Sequence, residues 1–105
     1  MNFKRIDAAA ARELIVTNTN VEPAKRIQIA DIRDDQSFAA GHIENAVHLH
    51  NANLQEFIAN GEFGAPLLVY CYHGHMSMSA AAYLAEQGFA DTYSLDGGYE
   101  AWEAG

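Results

Sequence analysis

The chain has 105 residues, half of them hydrophobic, enough for one domain with a buried core and too few for a second. Its formal charge of −8, from 14 acidic and 6 basic residues, argues against a nucleic-acid partner or an anionic membrane surface. A negatively charged substrate would have to be attracted locally, against the long-range field. Phe3 to Ile6 reads as a first short strand, and Asp7 can cap a helix over Ala8 to Val16. Thr17 to Pro23 is a polar loop. Ile27 to Ile32 alternates and is β-branched, which predicts a strand ending at Asp31. Asp34 to Ala40 predicts a short helix closed by Gly41, and Ala46 to Leu49 another strand. Leu54, Phe57 and Ile58 share a helical face before Gly61 and Gly64 break the pattern.

Pro66 starts the strongest strand, Leu67 to Cys71, apolar on both faces as a central parallel strand should be. Ser77 to Gln87 is helical, with Tyr83 and Leu84 expected inward and Gly88 as the stop. Thr92 to Leu95 is a last strand, Gly97-Gly98 a turn, and Tyr99 to Glu103 a final turn or two of helix. No internal repeat or low-complexity stretch interrupts residues 1–105. Strands alternating with helices predict an α/β fold with a mostly parallel sheet.

One cysteine cannot make an internal disulfide, which fits a reducing compartment and leaves the thiol free for chemistry. The run Ala8 to Ala11 is short and flanked by charge, unlike a signal-peptide core. The longest apolar run, Leu67 to Tyr72, is far too short to span a membrane, so the expected location is the cytoplasm.

The informative segment is Leu67-Leu-Val-Tyr-Cys71-Tyr-His-Gly-His-Met-Ser77, followed by a helix. In an open parallel sheet, ligands bind beyond the carboxyl ends of the strands, and Cys71 sits at such an end. The following helix turns its free N–H groups and positive dipole end back into the loop. A thiolate at Cys71 is therefore favoured, and the loop amides can cradle a small anion. Gly74 permits the tight curl this needs. His73 and His75 are candidates for further donors or partial positive charge. The bland alternatives are a small buried hydrophobe for the cysteine and a solvated pair for the histidines.

Three segments together resemble the sequence boxes of the rhodanese homology domain. They are Asp31-Ile-Arg33 with Phe38 and Gly41-His-Ile-Glu-Asn-Ala46, the Cys71 loop, and Leu95-Asp-Gly-Gly-Tyr99 with Ala101-Trp102. Their order and spacing match over about two-thirds of the chain. The resemblance implies a single domain of about five parallel strands flanked by helices on both faces. It also implies sulfur transfer from thiosulfate to cyanide or a thiol through a persulfide on Cys71. Tyr72, His73, Gly74, His75, Met76 and Ser77 then form the substrate-binding loop, with no cofactor and no metal. Met76 stands where many relatives carry Arg, Thr or Ser, and Tyr72 where Arg is frequent, so substrate identity is the open point. An alternative of another class keeps the persulfide but delivers it to a protein partner.

A cysteine phosphatase or arsenate reductase needs Cys-x5-Arg to grip its oxyanion, yet the sixth residue after Cys71 is Ser77 and no arginine follows residue 33. His48 and His50 share a strand face, but no C-x-x-C or H-E-x-x-H pattern supports a metal site. Asp31 and Arg33 are read as a structural ion pair or cap, His42 as structural at a turn, and Tyr99 and Trp102 as cover for the sheet.

Overall fold

The computed structural model describes residues 2–105. In chain order its elements are β1 (Phe3–Ile6), α1 (Ala8–Thr19), a 3-10 turn (Pro23–Lys25), β2 (Gln28–Asp31), α2 (Asp35–Ala40), β3 (Val47–His48), α3 (Leu54–Ala59), β4 (Pro66–Tyr70), α4 (Met76–Glu86), β5 (Asp91–Leu95) and α5 (Gly98–Ala104). The strands form one sheet in the order β1-β5-β4-β2-β3, every pairing parallel. β4 is central and wholly buried. Its side chains alternate between two cores, as the period of a strand requires. Leu67 and Val69 pack with Leu84, Phe89 and the partly buried Leu54, Phe57 and Ile58, so α3 and α4 cover one face. Leu68 and Tyr70 pack with Ala11, Ile43 and Leu95, and with the partly buried Tyr99 and Trp102, so α1 and α5 cover the other.

The predicted α/β architecture with helices on both faces is therefore the observed one. Two local readings change. α1 runs to Thr19 rather than stopping at Val16. The polar residues there close the helix themselves: Asn18 Nδ2 donates to the Leu14 carbonyl at 2.8 Å and Thr19 Oγ1 to the Ile15 carbonyl at 2.5 Å. Tyr83 is not inward but 40 % exposed. The buried stripe of α4 is Ser77, Ala81 and Leu84, and Tyr83 lies about 100° round the helix from Leu84.

β2 ends in the pair expected of Asp31 and Arg33. Both are buried, with Arg33 Nη2 at 2.7 Å from Asp31 Oδ2 and also donating to the Gly41 carbonyl. The guanidinium lies 4.2 Å over the Tyr99 ring. Burial opposes its charge, but the Asp31 carboxylate outweighs this and raises the Arg33 pKa. His42 stacks on Phe38 at 3.9 Å and bonds the Phe38 carbonyl through Nδ1, a structural position.

Candidate active site

The chain leaves β4 at Tyr70, makes a five-residue loop from Cys71 to His75 and enters α4 at Met76, one residue earlier than the sequence pattern suggests. Cys71 lies at the floor of this loop and is 1 % exposed. Its Sγ accepts the Ser77 N–H at 3.2 Å. Burial pushes the thiol pKa up. Hydrogen bonds from the Ser77 hydroxyl and from the Ser77, Gly74 and His73 amides more than offset that, and the net shift is downward. The loop thus favours a thiolate with oriented dipoles, with no side-chain cation involved.

Two features hold the loop in this shape. Gly74 has φ +96°, and a Cβ there would come within 2.8 Å of Gly97 N. On the other side, the start of α5 grips the first peptides of the loop. Tyr99 N–H donates to the Cys71 carbonyl at 2.9 Å and Glu100 N–H to the Tyr72 carbonyl at 3.3 Å. Gly98 makes this approach possible: it has φ +60°, and its Cβ would stand 2.5 Å from the Tyr72 carbonyl. The Gly97-Gly98 pair, read in the sequence as a turn, is also the surface against which the cysteine loop is moulded.

The other loop residues divide by direction. Ser77 is fully buried, its hydroxyl 2.8 Å from that of Ser94 on β5. Ser94 escaped the sequence reading, because a serine in the mixed strand Asp91–Leu95 carries no distinctive signal. Tyr72 points away from the sulfur: its hydroxyl donates to the Asp34 carboxylate and accepts the Asp34 N–H at 3.1 Å. That bond, with those from Ser37, holds the Asp34 carboxyl well below the usual carboxylate range. His73 Nδ1 lies 3.3 Å from Glu100 Oε1, with both groups exposed. His75 is exposed at the N-cap of α4, and Met76 is 55 % exposed at the loop rim. His48 and His50 have ring centroids 5.2 Å apart, and among the described residues no three His, Cys, Asp or Glu side chains converge to hold a metal ion.

A parallel sheet whose central strand ends in a cysteine cradled by loop amides and a helix N-terminus defines an α/β protein with an acidic thiol at the carboxyl end of its sheet. The chain belongs to the rhodanese-like domain family, whose model matches residues 16–105. It is similar to a protein named thiosulfate sulfurtransferase GlpE from Ectopseudomonas mendocina, 51% identical over 102 residues, or 97% of this chain and 86% of that one. A protein of the same name from Pseudoalteromonas translucida is 47% identical over 104 residues, covering 99% and 92%. Among solved structures, a rhodanese-like domain protein from Staphylococcus aureus superposes with a TM-score of 0.75 at 24% identity, covering 94% and 90% of the two chains, a likeness of fold. The Alr3790 protein from Anabaena sp. gives 0.76 at 27% identity, with 94% and 74% covered.

Proposed function

We propose that the protein is a thiosulfate sulfurtransferase in which Cys71 carries the sulfur. The observation that carries this reading is the Ser77 amide hydrogen bond to Cys71 Sγ, inside a loop whose other amides also lower the thiol pKa. Relatives about half identical to this chain bear the name thiosulfate sulfurtransferase, which supports the same donor here. The Cys71 thiolate attacks the outer sulfur of thiosulfate. A new S–S bond forms, the old one breaks, and its electron pair leaves with sulfite. A nucleophile, cyanide or a thiol, then attacks the outer sulfur of Cys71–S–S⁻, and the electron pair returns to Cys71 Sγ. A stabilised thiolate is a good leaving group in this second step. The amides of His73, Gly74 and Ser77 stabilise negative charge in both. Met76 and His75 form the rim through which the donor enters, while Tyr72 anchors the loop from outside. No general base is needed, and the two half-reactions give ping-pong kinetics. A thiol that cycles in this way belongs in a reducing compartment, and the cytoplasm suits it.

The test is direct. Incubation with thiosulfate adds the mass of one sulfur atom to the protein, and cyanide removes it as thiocyanate. Cys71→Ser gains no mass and does not turn over. Turnover by the serine variant would remove Cys71 from the mechanism.

A further inference from the structure

The Cys71 loop has a neighbour at the carboxyl edge of the sheet. A groove of about 670 Å³ lies between α4 and the segments that follow β2 and β3. Ile32, Leu49, Leu54, Ala80 and Leu84 give it mainly apolar walls. Tyr72 joins loop to groove: it follows Cys71 in the chain, and its hydroxyl is bonded to Asp34 on the groove's rim. α4 serves both places, giving the Ser77 amide to the sulfur and, about one turn on, Ala80 to the groove wall. Small-molecule sites occupy roughly 300–1,000 Å³ and combine apolar walls with a few polar groups, which is the composition here.

Two carboxylates, Asp34 and Asp35, stand on the rim, with His48 Nδ1 3.4 Å from Asp35 Oδ1. Asp34 and Asp35 are exposed, the Asp35 side chain 94% so. Arg33 is the one lysine or arginine in the lining, and its guanidinium is committed to Asp31 and the Gly41 carbonyl. A dianion such as thiosulfate is repelled from this groove and is left to the loop amides. The groove suits the second substrate of the same cycle by size and polarity, and Tyr72 and α4 connect it to the loop.

We propose that this groove seats the sulfur acceptor, and that the acceptor is a low-molecular-weight thiol on an aliphatic chain without negative charge. The inference rests on the sulfurtransferase reading above and names its second substrate. The thiol loses its proton to solvent and its thiolate attacks the outer sulfur of Cys71–S–S⁻. The acceptor gains an S–S bond, the protein's S–S bond breaks, and the electron pair leaves on Cys71 Sγ. The acceptor's chain lies against Ile32, Leu54 and Ala80, and its polar or cationic end meets Asp35.

Steady-state transfer from thiosulfate at one fixed pH tests this. Rates are expressed per concentration of thiolate and each is measured beside cyanide, which is too small to use the groove. Cysteamine, 2-mercaptoethanol and 3-mercaptopropionate vary the charge; 6-mercapto-1-hexanol lengthens the chain. The expected order of kcat/KM is cation, neutral, anion, with about fivefold or more between the ends at low salt. The hexanol thiol should have a KM about tenfold or more below that of 2-mercaptoethanol. Relative to cyanide, Asp35→Lys should reverse the charge order, and Ala80→Gln, which sets a polar chain into the groove, should erase the chain-length preference. A flat series in the unaltered protein, or preferences that the two variants leave unchanged, overturns the groove. Absence of thiosulfate-to-cyanide turnover in the unaltered protein strikes instead at the sulfurtransferase reading, and the two failures are thereby separate.

Discussion

At the scale of single residues, the site turns on how a nearly inaccessible thiol is made acidic. Cys71 is 1 % exposed, and burial alone would keep it protonated. The Ser77 hydroxyl, held at 2.8 Å from Ser94, and three amides reverse that outcome. Ser77→Ala keeps the amide and removes the hydroxyl. The curve of alkylation rate against pH should then move to higher pH. Sulfur uptake from thiosulfate near neutral pH should slow about tenfold, the worth of one hydrogen bond to a charged group of about 1.5 kcal/mol. An unmoved curve would show that amides alone hold the thiolate. The shift also carries a stability signature. A thiol whose folded pKa is lowered contributes stability that is complete above its unfolded pKa and fades as pH falls through the folded one. Urea denaturation of Cys71→Ala should therefore show a larger deficit near pH 9.5 than near pH 6.

At the scale of elements, the cysteine loop is a joint between α4 and α5. Gly98→Ala tests the joint. Alanine at φ +60° is strained by about 1–2 kcal/mol, and its Cβ meets the Tyr72 carbonyl at 2.5 Å, backbone that cannot swing aside. Chemical denaturation should show a loss of about 2 kcal/mol or more, and thiosulfate turnover should fall further than the folded fraction accounts for. Turnover that merely follows folding would make α5 a passive neighbour. This joint marks a limit of reading the chain without its fold. Gly97-Gly98 before a short helix is legible as a turn, but its contact with Cys71 and Tyr72 spans more than twenty residues and depends on β5 lying beside β4. Patterns within one element were legible: the strand read over Leu67 to Cys71 and observed as Pro66–Tyr70, the Asp7 cap whose carboxylate accepts the Ala10 N–H, and the stop at Gly88. Asn18 and Thr19 misled because polar residues that fold back onto carbonyls look, in sequence, like a loop. Tyr83 misled because a large aromatic beside Leu84 invites burial, whereas the helix phase sets it at the groove. The groove itself, built from residues after β2 and β3 and from α4, leaves no contiguous trace.

At the scale of the whole molecule, the substrate and the protein repel each other. The net charge is −8, and all six lysines and arginines lie at or before residue 33, so the cysteine loop carries none. Raising ionic strength from low salt should therefore increase kcat/KM for thiosulfate, by screening a repulsion. Met76 is the place to alter the balance, being 55 % exposed at the loop rim and first in α4. At about 5 Å in water-like dielectric, one positive charge on a dianion contributes about 1 kcal/mol after screening, or about fivefold. Met76→Arg should lower the KM for thiosulfate by about that factor with little change in kcat, because ground state and transition state gain alike. Its kcat/KM should rise less with salt than that of the unaltered protein. A cation in the first turn opposes the helix dipole, so the same variant should lose about 0.3–1 kcal/mol of stability. Met76→Gln is the neutral control. If arginine and glutamine act alike, or the arginine effect ignores salt, side-chain charge does not limit donor binding, and the amides of the loop set KM by themselves.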